Sequence, residues 1–266
     1  MLGKLLKYEV RATGRTFLPL FAVLFLFTVI NKIFFIIQPR YFSLPQGISM
    51  MVYVITLIGI FVATMLITIQ RFYKSLLGDE GYLMFTLPVR PWQLITSKLI
   101  VSALWSIVSC VVAVGSIMVM AIGLDDLRTF PAAWRSIWQN MDKWFGLSPL
   151  AFFIELILLM LAGLALSILV VYVSIALGHQ LNSKKLLGSF GAFLVVTTAI
   201  QTVTVVGISL IGHLQDWVGF LDWLGRMNEE TLVHMGMWCG IAYEVFFSAV
   251  CFFVTNHLLT KHLNLE

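Results

Sequence analysis

Six long apolar runs separated by short polar breaks set the pattern of this chain. The runs cover residues 16–38, 48–70, 99–123, 149–177, 186–211 and 233–254. At 1.5 Å of rise per residue, each is long enough to cross a hydrocarbon layer of about 30 Å as a helix. Hydrocarbon offers no partner to a bare N–H or C=O, so a span of this kind has to be helical. The predicted fold class is all-α: a polytopic membrane protein of six transmembrane helices forming a single transmembrane domain over residues 1–266. Three further stretches are amphipathic rather than apolar. In residues 1–15, Leu2, Leu5, Leu6 and Val10 share a helical face, and Lys4, Lys7, Arg11 and Arg15 supply the other. This predicts a short helix lying among lipid headgroups. In residues 124–148, Trp134, Ile137, Trp138, Met141 and Phe145 repeat at helical spacing, and in 212–232 so do Trp217, Phe220, Leu221 and Leu224. Both predict helices at a membrane surface, with tryptophan at the water boundary.

Composition strengthens this picture. The chain is 60% hydrophobic and 11% charged, where a soluble domain carries about 25% charged residues. A surface so poor in charge has lipid as its solvent. The net charge of +4 reads as loop bias, with no nucleic-acid partner implied. Eleven of the 17 basic residues (Lys4, Lys7, Arg11, Arg15, Arg71, Lys74, Arg90, Lys98, Lys184, Lys185 and Lys261) fall on the side of the N-terminus. The positive-inside rule then places both termini in the cytoplasm of a cell membrane, with Lys32 near the outer end of the first span and able to reach headgroups. The apolar run after residue 15 is too long for a cleavable leader, so the first span is expected to direct insertion.

Little in the chain resembles catalytic or metal chemistry. Cys110, Cys239 and Cys251 all lie in apolar segments without metal-ligand spacing and are expected to be buried small residues. The five histidines are scattered at span ends and in loops. No phosphate-binding G-x-x-x-x-G-K-[ST] pattern is present, nor H-E-x-x-H, nor G-x-S-x-G. The chain is expected to hold no cofactor of its own. Two carboxylates do interrupt the spans: Glu155 in the fourth and Glu244 in the sixth. A charge at the bilayer centre costs at least about 2.5–3.5 kcal/mol, so each needs a partner, a cavity or a function. Thr197, Thr198, Gln201, Thr202 and Thr204 form a polar stripe in the fifth span, which either joins helices or, at Thr198 and Gln201, lines a path.

The longest polar-rich break on the predicted cytoplasmic side is residues 71–98, RFYKSLLGDEGYLMFTLPVRPWQLITSK. Gly78-Asp79-Glu80-Gly81 predicts a turn. Arg71 and Lys74 sit one turn apart, placed to hold lipid phosphate. Pro91 can open a short helix leading into the third span. The apolar YLMFTL between the turn and the prolines either packs on its own spans or forms a docking surface. In its ordered run of residues this loop resembles the membrane subunits of type 2 ABC transporters, the exporter class of permeases. The basic N-terminal helix resembles their elbow helix, and six spans with both termini inside fit their topology. The likeness is residue-specific only over positions 71–100.

That resemblance implies a permease subunit that exports, or confers resistance to, a hydrophobic or amphipathic compound such as an antimicrobial peptide or drug, in a bacterial cell membrane. It implies that Asp79, Glu80, Gly81, Tyr82, Leu87 and Pro88 couple the chain to a separate ATPase. Two copies of that ATPase would bind the ATP and magnesium, and a second permease chain would complete the dimer. This chain would itself be non-catalytic. Two other classes stay open. One is a membrane sensor or anchor that transports nothing. The other is an intramembrane lipid-processing enzyme, which would require Glu155 and Glu244 to converge on one site.

Overall fold

Long apolar runs satisfy their backbone groups internally as helices, and every regular element among the described residues is helical. The computed structural model describes residues 2–37, 44–74, 90–122, 126–145, 149–180, 185–218 and 226–261. Its helices are α1 (Leu2–Ile37), α2 (Leu44–Phe72), α3 (Pro91–Ala121), α4 (Asp126–Phe145), α5 (Pro149–Gly178), α6 (Lys185–Val218) and α7 (Glu229–Lys261). All but α4 are long and apolar enough to cross a membrane. The six expected spans are all present, and each helix runs past at least one of the boundaries expected for it.

The extensions change two expectations. Residues 1–15 are not a separate element, because α1 runs unbroken from Leu2 to Ile37 with Pro19 inside it. Lys4, Lys7, Arg11 and Arg15 do form an exposed face, yet Leu5, Leu6 and Val10 on the other side are half-buried, and Leu6 and Val10 pack against the core formed by Phe17, Val101 and Trp105. Protein contacts replace lipid on that face, and the stretch stays in line with its span. Similarly, α6 continues to Val218 and includes Trp217, while Phe220, Leu221 and Leu224 lie outside the described residues. The amphipathic helix expected at 124–148 is α4, with Trp134, Ile137 and Trp138 exposed.

The chain divides into two compact units, residues 1–131 and 132–266. In the first, α1 packs against both α2 and α3, and α2 against α3. Phe17 stacks on Trp105 with ring centroids 4.7 Å apart. Leu24, Tyr53 and Ile60 form a second cluster. The α2–α3 contact is a ladder of small polar pairs: Thr64 with Ser109 at 3.1 Å and Tyr53 with Ser116 at 3.0 Å. Such pairs each contribute on the order of 0.6 kcal/mol between helices in lipid. Asn31, fully buried, donates from Nδ2 to the Ser49 carbonyl at 3.2 Å and so ties α1 to α2. Lys32 is held at the end of a neighbouring helix. Its Nζ donates to the Ile122 carbonyl at the end of α3, where a cation meets the negative end of the helix dipole.

In the second unit α5 packs against both α6 and α7. Trp138 of α4 stacks on Phe153 of α5 at 5.4 Å. Thr204 of α6 and Tyr243 of α7 share a hydrogen bond of 2.6 Å, so part of the threonine stripe does join helices. The α5–α6 turn is closed by Gly178, where any Cβ would overlap the Ser189 backbone. Backbone cannot step aside as a side-chain tip can. Gly178→Ala is therefore expected to destabilise the protein by about 1–3 kcal/mol through overpacking, read as a lower midpoint in a thermal-denaturation assay in detergent. Gly191→Ala, which adds its methyl to open space, should be near neutral.

Candidate functional site

Two polar sites stand out, one in each unit. In the first unit a single carboxylate organises the end of the bundle where α2 stops and α3 starts. Glu9 of α1 meets Lys98 Nζ at 2.8 Å and Arg71 at 3.6 Å. The Lys98 side chain is only 2% exposed and that of Glu9 11%. One turn on, Thr13 donates to the Glu9 carbonyl at 2.7 Å and accepts from Trp105 Nε1 at 2.6 Å. Gly14 makes room for that tryptophan: a Cβ there would stand 3.4 Å from its ring. Glu9, Thr13, Arg71, Lys98, Ser102 and Trp105 line a cavity of about 10 Å³, roughly one water in size.

Arg71 and Lys98 are also the two ends of the stretch singled out in the sequence. Both ends are thus held on one residue of α1, and Arg71 points to Glu9 where a lipid phosphate was expected. Asp79, Glu80, Gly81, Tyr82, Leu87 and Pro88 lie outside the described residues. Pro91 does open a helix, at its first position behind an extended Arg90, and that helix continues unbroken as the third span.

The second site is the seam between α5 and α7. Glu155 is 7% exposed. Its Oε2 lies 2.6 Å from His234 Nδ1, and its Oε1 accepts from Trp238 Nε1 at 2.9 Å. His234 and Trp238 are one turn apart on α7, so the carboxylate fastens the two helices with both oxygens. Glu244 lies further along the same seam, beside Gly163, whose Cβ position would be 3.8 Å from the carboxyl. Its Oε2 is buried and forms no hydrogen bond. From the Glu155 level to the Gly163 level is eight residues of α5, about 12 Å at 1.5 Å per residue. The two carboxylates therefore occupy separate levels and do not converge. Thr198 and Gln201 are exposed on α6 and belong to neither level.

Among the described residues no group of three or more His, Cys, Asp or Glu is close enough to hold a metal ion. The cysteines are free thiols, and contrary to expectation Cys110 and Cys239 are exposed; Cys251 alone is buried. An apolar exterior has room for cysteine at the surface as well as inside.

The comparisons with known proteins are blank. No protein-family model, curated protein or solved structure matches the chain.

Several of these partners escaped sequence reasoning: Glu9, Trp105, Gly163, His234 and Trp238. Glu9 did carry a signal, being the sole acidic residue among the first 78 positions and surrounded by lysine and arginine. His234 and Trp238 show the i, i+4 spacing of one helix face, but nothing local ties them to Glu155. Removing one member of a buried ion pair leaves the other charge unpaired and typically costs about 3–5 kcal/mol. Lys98→Met should therefore lower the thermal midpoint strongly, and Glu9→Gln combined with Lys98→Met should recover much of the loss. A double variant no more stable than Lys98→Met would show that the pair contributes nothing of this kind.

Proposed function

We propose that this chain is the membrane subunit of a transporter driven by a separate ATPase, acting in export of, or resistance to, a hydrophobic or amphipathic compound. The observation that carries the reading is the convergence of Arg71 and Lys98, the two ends of the 71–98 stretch, on Glu9 of the first span. A partner that pushed on that stretch would act on three spans at once, since α1, α2 and α3 meet there. The order of residues in the stretch, its likeness to coupling segments of type 2 ABC permeases, and the lack of a phosphate-binding motif in the chain support the same reading.

In this proposal Asp79, Glu80, Gly81, Tyr82, Leu87 and Pro88 form the docking surface, on the cytoplasmic side. Two ATPase copies, which themselves bind the ATP and magnesium, dock there, and a second permease chain completes the assembly. ATP binding shifts the coupling stretch. The buried Glu9–Lys98 pair, being short and little screened, passes the shift to α1, and the spans tilt to open a path. Glu155 and Glu244 sit at different levels of the α5–α7 seam, an arrangement that gives the enzyme alternative no support. A sensor or anchor has no observation in its favour beyond the shared topology.

Glu80→Ala and Tyr82→Ala are expected to uncouple ATP hydrolysis from transport while leaving helix content and thermal midpoint unchanged. Co-purification of a nucleotide-binding subunit with the wild-type chain, weakened in both variants, is the expected result. Variants that retain the partner and the wild-type resistance or transport would overturn the proposal.

A further inference from the structure

The two carboxylates of the α5–α7 seam are in opposite situations. Glu155 has both oxygens engaged. The Glu244 carboxyl makes no hydrogen bond or ion pair among the described residues, and its Oε2 is buried. One turn along α7, the buried Ser248 Oγ is also without a partner. Hydroxyls elsewhere in this chain commonly donate to their own helix four residues back, as Thr28, Ser174, Ser189 and Thr255 do; Ser248 does not. Two oxygens one turn apart on one helix face therefore stand ready for a donor. A buried polar group left unmatched destabilises the fold.

No basic residue of α5, α6 or α7 is a close sequence neighbour of Glu244. Helix α5 has no basic residue, α6 has none between Lys185 and His213, and α7 has none between His234 and His257. His234 is already held by Glu155. Among the described residues no donor meets either oxygen, so both are open to one brought by a ligand. A hard metal ion would want six or more oxygens, and the seam shows a carboxyl and a hydroxyl. An ammonium group brings three N–H donors and a positive charge, and its alkyl part is compatible with the surrounding apolar helices. Gly163 of α5 faces the carboxyl, its Cβ position lying 3.8 Å away, an ordinary contact distance. Glu244 as a residue is only half-buried, so a ligand can reach it from the surface of the unit.

We propose that Glu244 and Ser248, opposite Gly163, form a binding site for an alkylammonium group carried on an apolar body. As a statement about what is transported this rests on the permease reading, and it names cationic amphiphiles as the class. As a statement about binding it concerns this chain alone. The test uses the full chain without any ATPase, in nanodiscs of phosphatidylcholine, with dodecylammonium as probe and dodecanol as its neutral match. Bound probe is counted by native mass spectrometry against empty nanodiscs. The wild type and Ser209→Ala, a control on exposed α6 surface, should bind dodecylammonium saturably at one per chain and show no saturable dodecanol binding. Loss of a hydrogen bond to a charged group predicts binding weaker by about tenfold or more for Glu244→Gln, and by a smaller factor for Ser248→Ala. Equal affinity for the alcohol, or undiminished binding by Glu244→Gln, would overturn the site. Should Glu244→Gln fail to fold, Ser248→Ala decides, and unchanged affinity there overturns it as well. Partner co-purification is a separate readout, so the site can fail while the permease reading stands, and the reverse.

Discussion

A single carboxylate surrounded by basic residues holds the first unit together at one end. Glu9 is buried against Lys98, with Arg71 as a second, more exposed cation. Lys98 is an expensive residue to bury, and its 2.8 Å contact to Glu9 offsets that cost. The rest of that end follows. With Glu9 in place, Thr13 lies opposite the Trp105 indole, Phe17 lies flat on the same ring, and Gly14 leaves space for its edge. This fits α1 continuing as one helix through residues 1–15. An amphipathic helix takes whichever apolar surface is nearer, and here that surface is protein.

The second unit is fastened by different means. Its helices approach closely at glycines and join through few polar groups: Glu155 with His234 and Trp238, and Thr204 with Tyr243. Helices in lipid gain no hydrophobic advantage from meeting one another, so close packing and hydrogen bonds have to suffice. On that standard the Glu155 clamp is ordinary structure, with every acceptor matched. Glu244 is not ordinary, because the same physics that engages Glu155 leaves Glu244 uncompensated.

The spans were legible from the sequence because they depend on one strong, local signal. Apolar runs of this length admit one backbone solution, and all six appear. The amphipathic α4 was legible for a similar reason, from the spacing of Trp134, Ile137 and Trp138. Element ends were less so. Nothing in the period of hydrophobic residues marks that α6 continues through Trp217 or that α1 has no break near residue 15. The site partners were least legible. Glu9 meets Lys98 across 89 residues and Glu155 meets His234 across 79, and no spacing rule reaches that far. Hydropathy flagged Glu155 and Glu244 equally, as charges in apolar runs. It could not separate them, since the difference lies in which side chains the neighbouring helix presents.

The contrast between Lys98 and Glu244 bears on function. Both are charge-bearing side chains set among apolar helices, and each raises the question of what balances it. For Lys98 the answer is internal and structural, and it ties the 71–98 stretch to the first span. For Glu244 no partner is found among the described residues. Stability alone would favour replacing such a group by an apolar one, since burying an unmatched polar group only costs. A carboxyl kept without an internal partner is what a site for an external cation requires. A group whose only role was to hold helices together would look like Glu155.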